Sequence, residues 1–140
     1  MNEDTLKTIN KLILQSDKRI VIIGPSCIGK THFISYLRSQ DKCDLRSYRY
    51  LKCMTVIHYT RGPKTKSNGV IIIGVPFDTY KERRTLRMKP PKHTPEKFEQ
   101  NYIKVIKKLE EENIPHIFID NRNDYPILDK SSFLTMLTGK

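Results

Sequence analysis

Apolar residues fall along this chain in two kinds of run. Residues 19–24, Arg-Ile-Val-Ile-Ile-Gly, and residues 70–75, Val-Ile-Ile-Ile-Gly-Val, are short, continuous and rich in β-branched side chains. Uninterrupted runs of this length predict strands buried on both faces, as in a parallel sheet. Elsewhere apolar positions recur at helical spacing. Leu6, Ile9, Leu12 and Ile13 predict an amphipathic helix ending near Ser16, and Phe33, Ile34 and Leu37 predict one over 30–40. Phe98, Tyr102, Val105, Ile106 and Leu109 predict a third, to about Glu112.

Weaker signals fill the gaps. Residues 53–59 and 114–119 read as further strands, with a polar turn over 61–69. Asp78 stands where a helix N-cap is expected, before a basic helix to about Arg87, and Pro90, Pro91 and Pro95 interrupt the chain after it. Ser131 or Ser132 is expected to cap a last short helix over 133–137. Strands alternating with helices predict an α/β three-layer sandwich, with a mainly parallel sheet of about four to five short strands. Its 140 residues make one domain.

Composition narrows the setting. No apolar run approaches the roughly 20 residues that span a bilayer, and the polar N-terminus lacks the apolar core of a signal peptide. Cys27, Cys43 and Cys53 are an odd number at no metal-ligand spacing, so a reduced, cytoplasmic environment is expected, with no membrane partner. The formal charge is +11, a surplus that favours polyanions. It is concentrated. Residues 81–108 hold ten Lys or Arg against three Glu, and residues 38–66 hold eight against two Asp. Tyr48, Tyr50 and Tyr59 are interleaved with the second cluster, where they could stack bases or form part of a solvated basic surface.

The candidate chemistry begins at the end of the first apolar run. Gly24, Pro25, Ser26, Cys27, Ile28, Gly29, Lys30 and Thr31 satisfy G-x-x-x-x-G-K-[ST], between an expected strand and an expected helix. The two glycines allow close backbone approach, and successive N–H groups form an anion nest at a helix N-terminus. Lys30 would bridge the terminal phosphates of ATP, and Thr31 would ligate Mg²⁺ carried in with it. Cys27 is either a reactive thiol or the filler of a variable loop position.

This segment is similar to the phosphate loop of P-loop nucleoside and nucleotide kinases, within the P-loop nucleoside triphosphate hydrolase superfamily; guanylate kinases often read Gly-Pro-Ser there. Residues 70–87 resemble the strand and arginine-bearing helix that enter the lid of those enzymes, and residues 98–120 resemble their C-terminal helix and last strand. Polynucleotide kinases share the plan. The resemblance implies a P-loop NTPase fold and ATP-dependent phosphotransfer to a nucleoside, a nucleotide or a nucleic-acid end. It makes Arg83, Arg84 and Arg87 lid arginines that stabilise the transferring phosphoryl group; a solvated basic helix face is the alternative. Lys89, Lys92 and His93 would belong to a flap or to an ordinary loop, and Arg61 to an acceptor-binding segment or a basic turn.

The pattern departs from that family in two ways. The acid that usually ends a neighbouring strand is displaced. Asp78 is the tentative Mg²⁺-associated residue, Asp44 is a weaker one, and Asp120 either ends the sheet or approaches the base side of the nucleotide. The segment between Gln40 and Cys53 is also too short for a full acceptor subdomain. A nucleotide-binding regulatory or nucleic-acid-binding protein without kinase activity is therefore the alternative.

Overall fold

The computed structural model describes residues 3–16, 20–25, 30–39, 52–54, 69–90 and 93–139. Along the chain these form α1 (Glu3–Gln15), β1 (Ile20–Ile23), α2 (Lys30–Ser39), β2 (Lys52–Met54), β3 (Gly69–Gly74), α3 (Phe77–Leu86), α4 (Pro95–Glu111), β4 (His116–Asp120), β5 (Ile127–Leu128) and α5 (Lys130–Thr138). The strands make one sheet in the order β2-β1-β3-β4-β5. Its first three pairings are parallel, and β4 and β5 are antiparallel.

Every residue of β1 and β3 is buried, because helices cover both faces of the sheet. A Cβ added to Gly69 would collide with Ser16 Oγ beyond the end of α1, and one added to Gly74 would lie 2.7 Å from Phe133 Cζ of α5. Side chains alternate across a strand, so positions 69 and 74 face opposite sides. The α5 face is filled by contiguous rings. Tyr80 stacks on Phe98 at 4.9 Å; Phe98 meets Tyr102, Tyr102 meets Phe133, and Phe133 meets Phe118 at 5.0 Å. Such pairs add about 0.5–1.5 kcal/mol each beyond area burial.

The α4 helix follows its sequence pattern closely. All five expected apolar positions are buried, Pro95 opens the helix, and Thr94 accepts from Lys97 N–H as its cap. Tyr102 carries a polar group to the centre of this packing. Its hydroxyl donates to the carbonyl of Ile73 at 2.8 Å, and burial pushes the phenol well above its ordinary pKa.

Two expected caps are corrected. Pro76, not Asp78, occupies the N-cap position of α3, and its carbonyl accepts from Tyr80 N–H. Proline enters with φ already set, and Asp78 falls in the first turn, where a carboxylate favours the helix dipole without capping. Asp129, not Ser131 or Ser132, caps α5, which begins at Lys130; its Oδ1 accepts from Ser132 N–H at 2.7 Å. The two-residue strand β5 was not among the expected elements. Of the expected strand over 53–59 only 53 and 54 are described, within β2 paired with β1; of the expected turn over 61–69, Gly69 instead opens β3, and residues 55–68 lie outside the described residues. No helix among the described residues is long and apolar enough to cross a membrane.

Replacing Tyr102 by Phe deletes only the buried hydroxyl. A loss of about 1 kcal/mol is expected, the scale of one net hydrogen bond, read from the urea midpoint at unchanged slope. A pH effect follows from two carboxyls held below their ordinary values, Asp129 by Ser132 N–H and Glu110 by Lys130 Nζ at 2.7 Å. Their contribution is complete at neutral pH and is lost as pH falls below about 4. The urea midpoint of an Asp129→Asn, Glu110→Gln double variant should accordingly fall less between pH 6 and pH 3 than that of the parent.

Candidate functional site

In a sheet buried on both faces, reactive groups can gather only at the strand ends. After β1 the chain turns to one side to form β2, then crosses to form β3 on the other side of β1. Ligands of open α/β sheets bind outside the carboxyl ends of the strands at such a reversal. The segment bearing Gly24 and Pro25 leaves β1 at that end, and Lys30 is the first residue of α2. Lys30 Nζ donates to the carbonyls of Gly24 and of Pro25, both at 2.7 Å. Its ammonium is thus folded back over the backbone that leaves β1. Thr31 and His32 are exposed on the same first turn. Ser26, Cys27, Ile28 and Gly29 lie outside the described residues, as do Asp44, Arg61, Lys92, Tyr48, Tyr50 and Tyr59.

The three candidate arginines, two in α3 and Arg87 at its C-cap, separate sharply. Arg83 and Arg87 line a cleft of about 430 Å³ with Leu86, facing His32 of α2 and residues Asn121, Arg122, Asn123 and Tyr125 beyond β4. Arg84 points the other way. It is only 7% exposed, donates from Nε to the carbonyl of Pro90 at 2.7 Å and lies over the Tyr80 ring. Its place is structural, because it ties the end of α3 to the proline-rich segment. Residues 83 and 84 are about 100° apart around a helix, so they point in different directions.

Residues 121–126 form a braced wall. Asn121 N–H donates to the carbonyl of Gly74, Asp120 N–H to that of Pro126, and Thr5 Oγ1 to that of Tyr125. The Tyr125 ring packs against Phe33 and Tyr36 of α2. Burial raises the Tyr125 phenol, the nearby Tyr36 raises it further, and the Arg83 charge pulls it down. Arg83 Nη2 also reaches the Asn121 carbonyl at 3.4 Å.

Arg122 was not foreseen. Its Nε and Nη2 donate to the two carboxylate oxygens of Asp120 at 2.9 and 2.8 Å, a bidentate pair that raises its pKa further. A basic residue two positions beyond the acid that ends a strand was the available signal. Asp120 is the last residue of β4, but the sheet continues through β5 beside it, so Asp120 does not end the sheet; its carboxylate is bonded to Arg122. Asp78 is exposed on the first turn of α3. Among the described residues no group of three or more His, Cys, Asp or Glu gathers to hold a metal ion.

Comparison of the chain with known protein families, with characterised proteins and with solved structures returns no match.

Because Arg83 opposes the rise of the Tyr125 phenol, Arg83→Met should move the Tyr125 pKa further up. NMR titration of ring-labelled tyrosine reads this directly, and an unchanged value would separate the two residues in solution.

Proposed function

We propose that this chain is an ATP-binding phosphotransferase of the P-loop kinase type, with a P-loop NTPase fold, acting in the cytoplasm. It moves the γ-phosphoryl group of ATP to a hydroxyl of a nucleoside, a nucleotide or a nucleic-acid end. The observation that carries the reading is Lys30. An ammonium held over the backbone leaving β1, at the reversal point of a parallel sheet, is a phosphate-binding arrangement in waiting. The segment it folds over carries the motif G-x-x-x-x-G-K-T.

In this reading Lys30 exchanges its two carbonyl partners for the terminal phosphates, and the dipole of α2 supports the same charge. Mg²⁺ keeps several waters and needs few protein ligands when phosphates supply the rest. The exposed Thr31 hydroxyl fits that demand, and Asp78 is the acid assigned to the metal's water shell. Bound with ATP, Mg²⁺ would neutralise charge on the phosphates. Arg83 and Arg87, which face the cleft, would neutralise charge on the transferring group. Arg84 is buried, donates from Nε to the Pro90 carbonyl and does not line the cleft, so this reading gives the role to Arg83 and Arg87.

Lys30→Ala should weaken ATP·Mg²⁺ binding by about 100-fold in calorimetry, the scale of losing charge-assisted hydrogen bonds worth roughly 3 kcal/mol. Undiminished binding would overturn the assignment. Transfer of labelled γ-phosphate to nucleosides, nucleotides or 5′-hydroxyl oligonucleotides is the expected activity. Binding with no transfer to any of them would leave a nucleotide-binding protein without kinase activity.

A further inference from the structure

The cleft beside α3 has properties that a free nucleotide does not require. It joins three guanidinium groups, those of Arg83, Arg87 and Arg122, to the imidazole of His32. The neighbouring carboxylate, Asp120, is engaged by Arg122. The site is therefore built for anions.

Its rim is apolar. Leu86 lines the cleft and is 78% exposed, and Met88 just beyond it is 94% exposed. These side chains do not hang on a loose end. Met88 N–H donates to the carbonyl of Thr85, Lys89 N–H to that of Arg84, and Arg84 Nε to that of Pro90. The first two bonds close α3 as a Schellman motif with methionine at the left-handed position, φ 56°, where glycine is usual. The result is a stiff knuckle that presents Leu86 and Met88 among Arg87 and Lys89. Strain gathers here too. Of the four non-glycine residues with positive φ among those described, Asn123 and Tyr125 line this cleft and Met88 directly follows Arg87, which lines it. Backbone held in such conformations concentrates at functional sites.

A second cleft, of about 480 Å³, also has Arg122 in its lining, together with Ser131, Ser132 and Thr135 of α5. Arg122 therefore faces two clefts, and the second adds hydroxyl groups that can donate to phosphate oxygens.

We propose that this groove binds single-stranded nucleic acid. Phosphates pair with Arg83, Arg87 and Arg122, and an unstacked base lies against Leu86 and Met88. Only unpaired bases offer their apolar faces to such a knuckle. Phosphate pairing alone would leave Leu86 and Met88 unused. The inference deepens the proposed function by naming the acceptor class. It rests on that reading for the acceptor role, but not for the binding itself.

Fluorescence anisotropy with a labelled twelve-residue oligothymidylate tests it. Affinity should fall with salt, and Arg87→Gln should flatten the logarithmic salt slope by about 0.7, the share of one single-strand phosphate contact. A Leu86→Ser, Met88→Ser double variant should bind at least about fivefold more weakly with the slope kept, the signature of a lost apolar contact. Both substitutions are at exposed positions, and circular dichroism checks that the variants remain folded. Lys30→Ala should lose ATP and retain the oligonucleotide, so failure of the ATP assignment and failure of this one are told apart. Four results would overturn the proposal. They are absence of oligonucleotide binding, binding that neither variant alters, equal competition by thymidine monophosphate at the same nucleotide concentration, and binding of anionic phosphatidylserine vesicles in place of the oligonucleotide.

Discussion

Strands β1 and β3 lie side by side with every residue buried, and that double burial governs the rest of the molecule. Helices must cover both faces, so neither face can hold a ligand. Backbone polar groups are satisfied along the strands and exposed only where the strands stop. The sites available to chemistry are the strand ends. At the carboxyl ends of β1, β3 and β4 the chain supplies the backbone bonded by Lys30, the start of α3, and the braced segment 121–126. The bond from Asn121 N–H to the Gly74 carbonyl carries the sheet's order one step past its last parallel pair. The wall of the cleft is thus an extension of the core.

Elements defined by strong patterns were legible in the sequence. The short β-branched runs ending at glycine matched the buried strands β1 and β3, and the spacing from Phe98 to Leu109 matched the buried face of α4. What escaped notice lacked a period. The strand β5 is two residues long, and no pattern can declare itself in that length. The cap of α3 misled because an aspartate is a better cap than a proline in general. Here the Val75-Pro76 exit from β3 starts the helix one residue ahead of it. At α5 the serines drew attention from Asp129, whose carboxylate is the stronger acceptor.

The candidate site was legible in part for the same reason. A motif of fixed spacing marks its own position, so Lys30 and Thr31 were found at the start of a helix after a buried strand. A cluster of arginines does not say which of them faces a ligand. Arg83 and Arg84 are adjacent and chemically identical, yet one lines the cleft and the other is buried against Tyr80 and Pro90. Only the burial of α3, which turns Tyr80 and Arg84 inward together, separates them. Arg122 lies in an irregular segment with no period at all, and the one hint, an acid two positions before it, becomes a bidentate pair only in the folded strand end.

The pairing of Arg122 with Asp120 has a consequence for selectivity. A long cationic side chain loses rotamer freedom, up to about 2 kcal/mol, when an anion fixes it. Two parallel hydrogen bonds to a carboxylate have already taken that freedom from Arg122 before any ligand arrives. The same bonds turn its guanidinium plane to one fixed direction and leave fewer of its donors to share. An oxyanion entering either of the two clefts that Arg122 lines would therefore meet a preorganised group that rewards one angle of approach. Arg122 thereby acts less as a source of attraction than as a gauge of how the ligand lies.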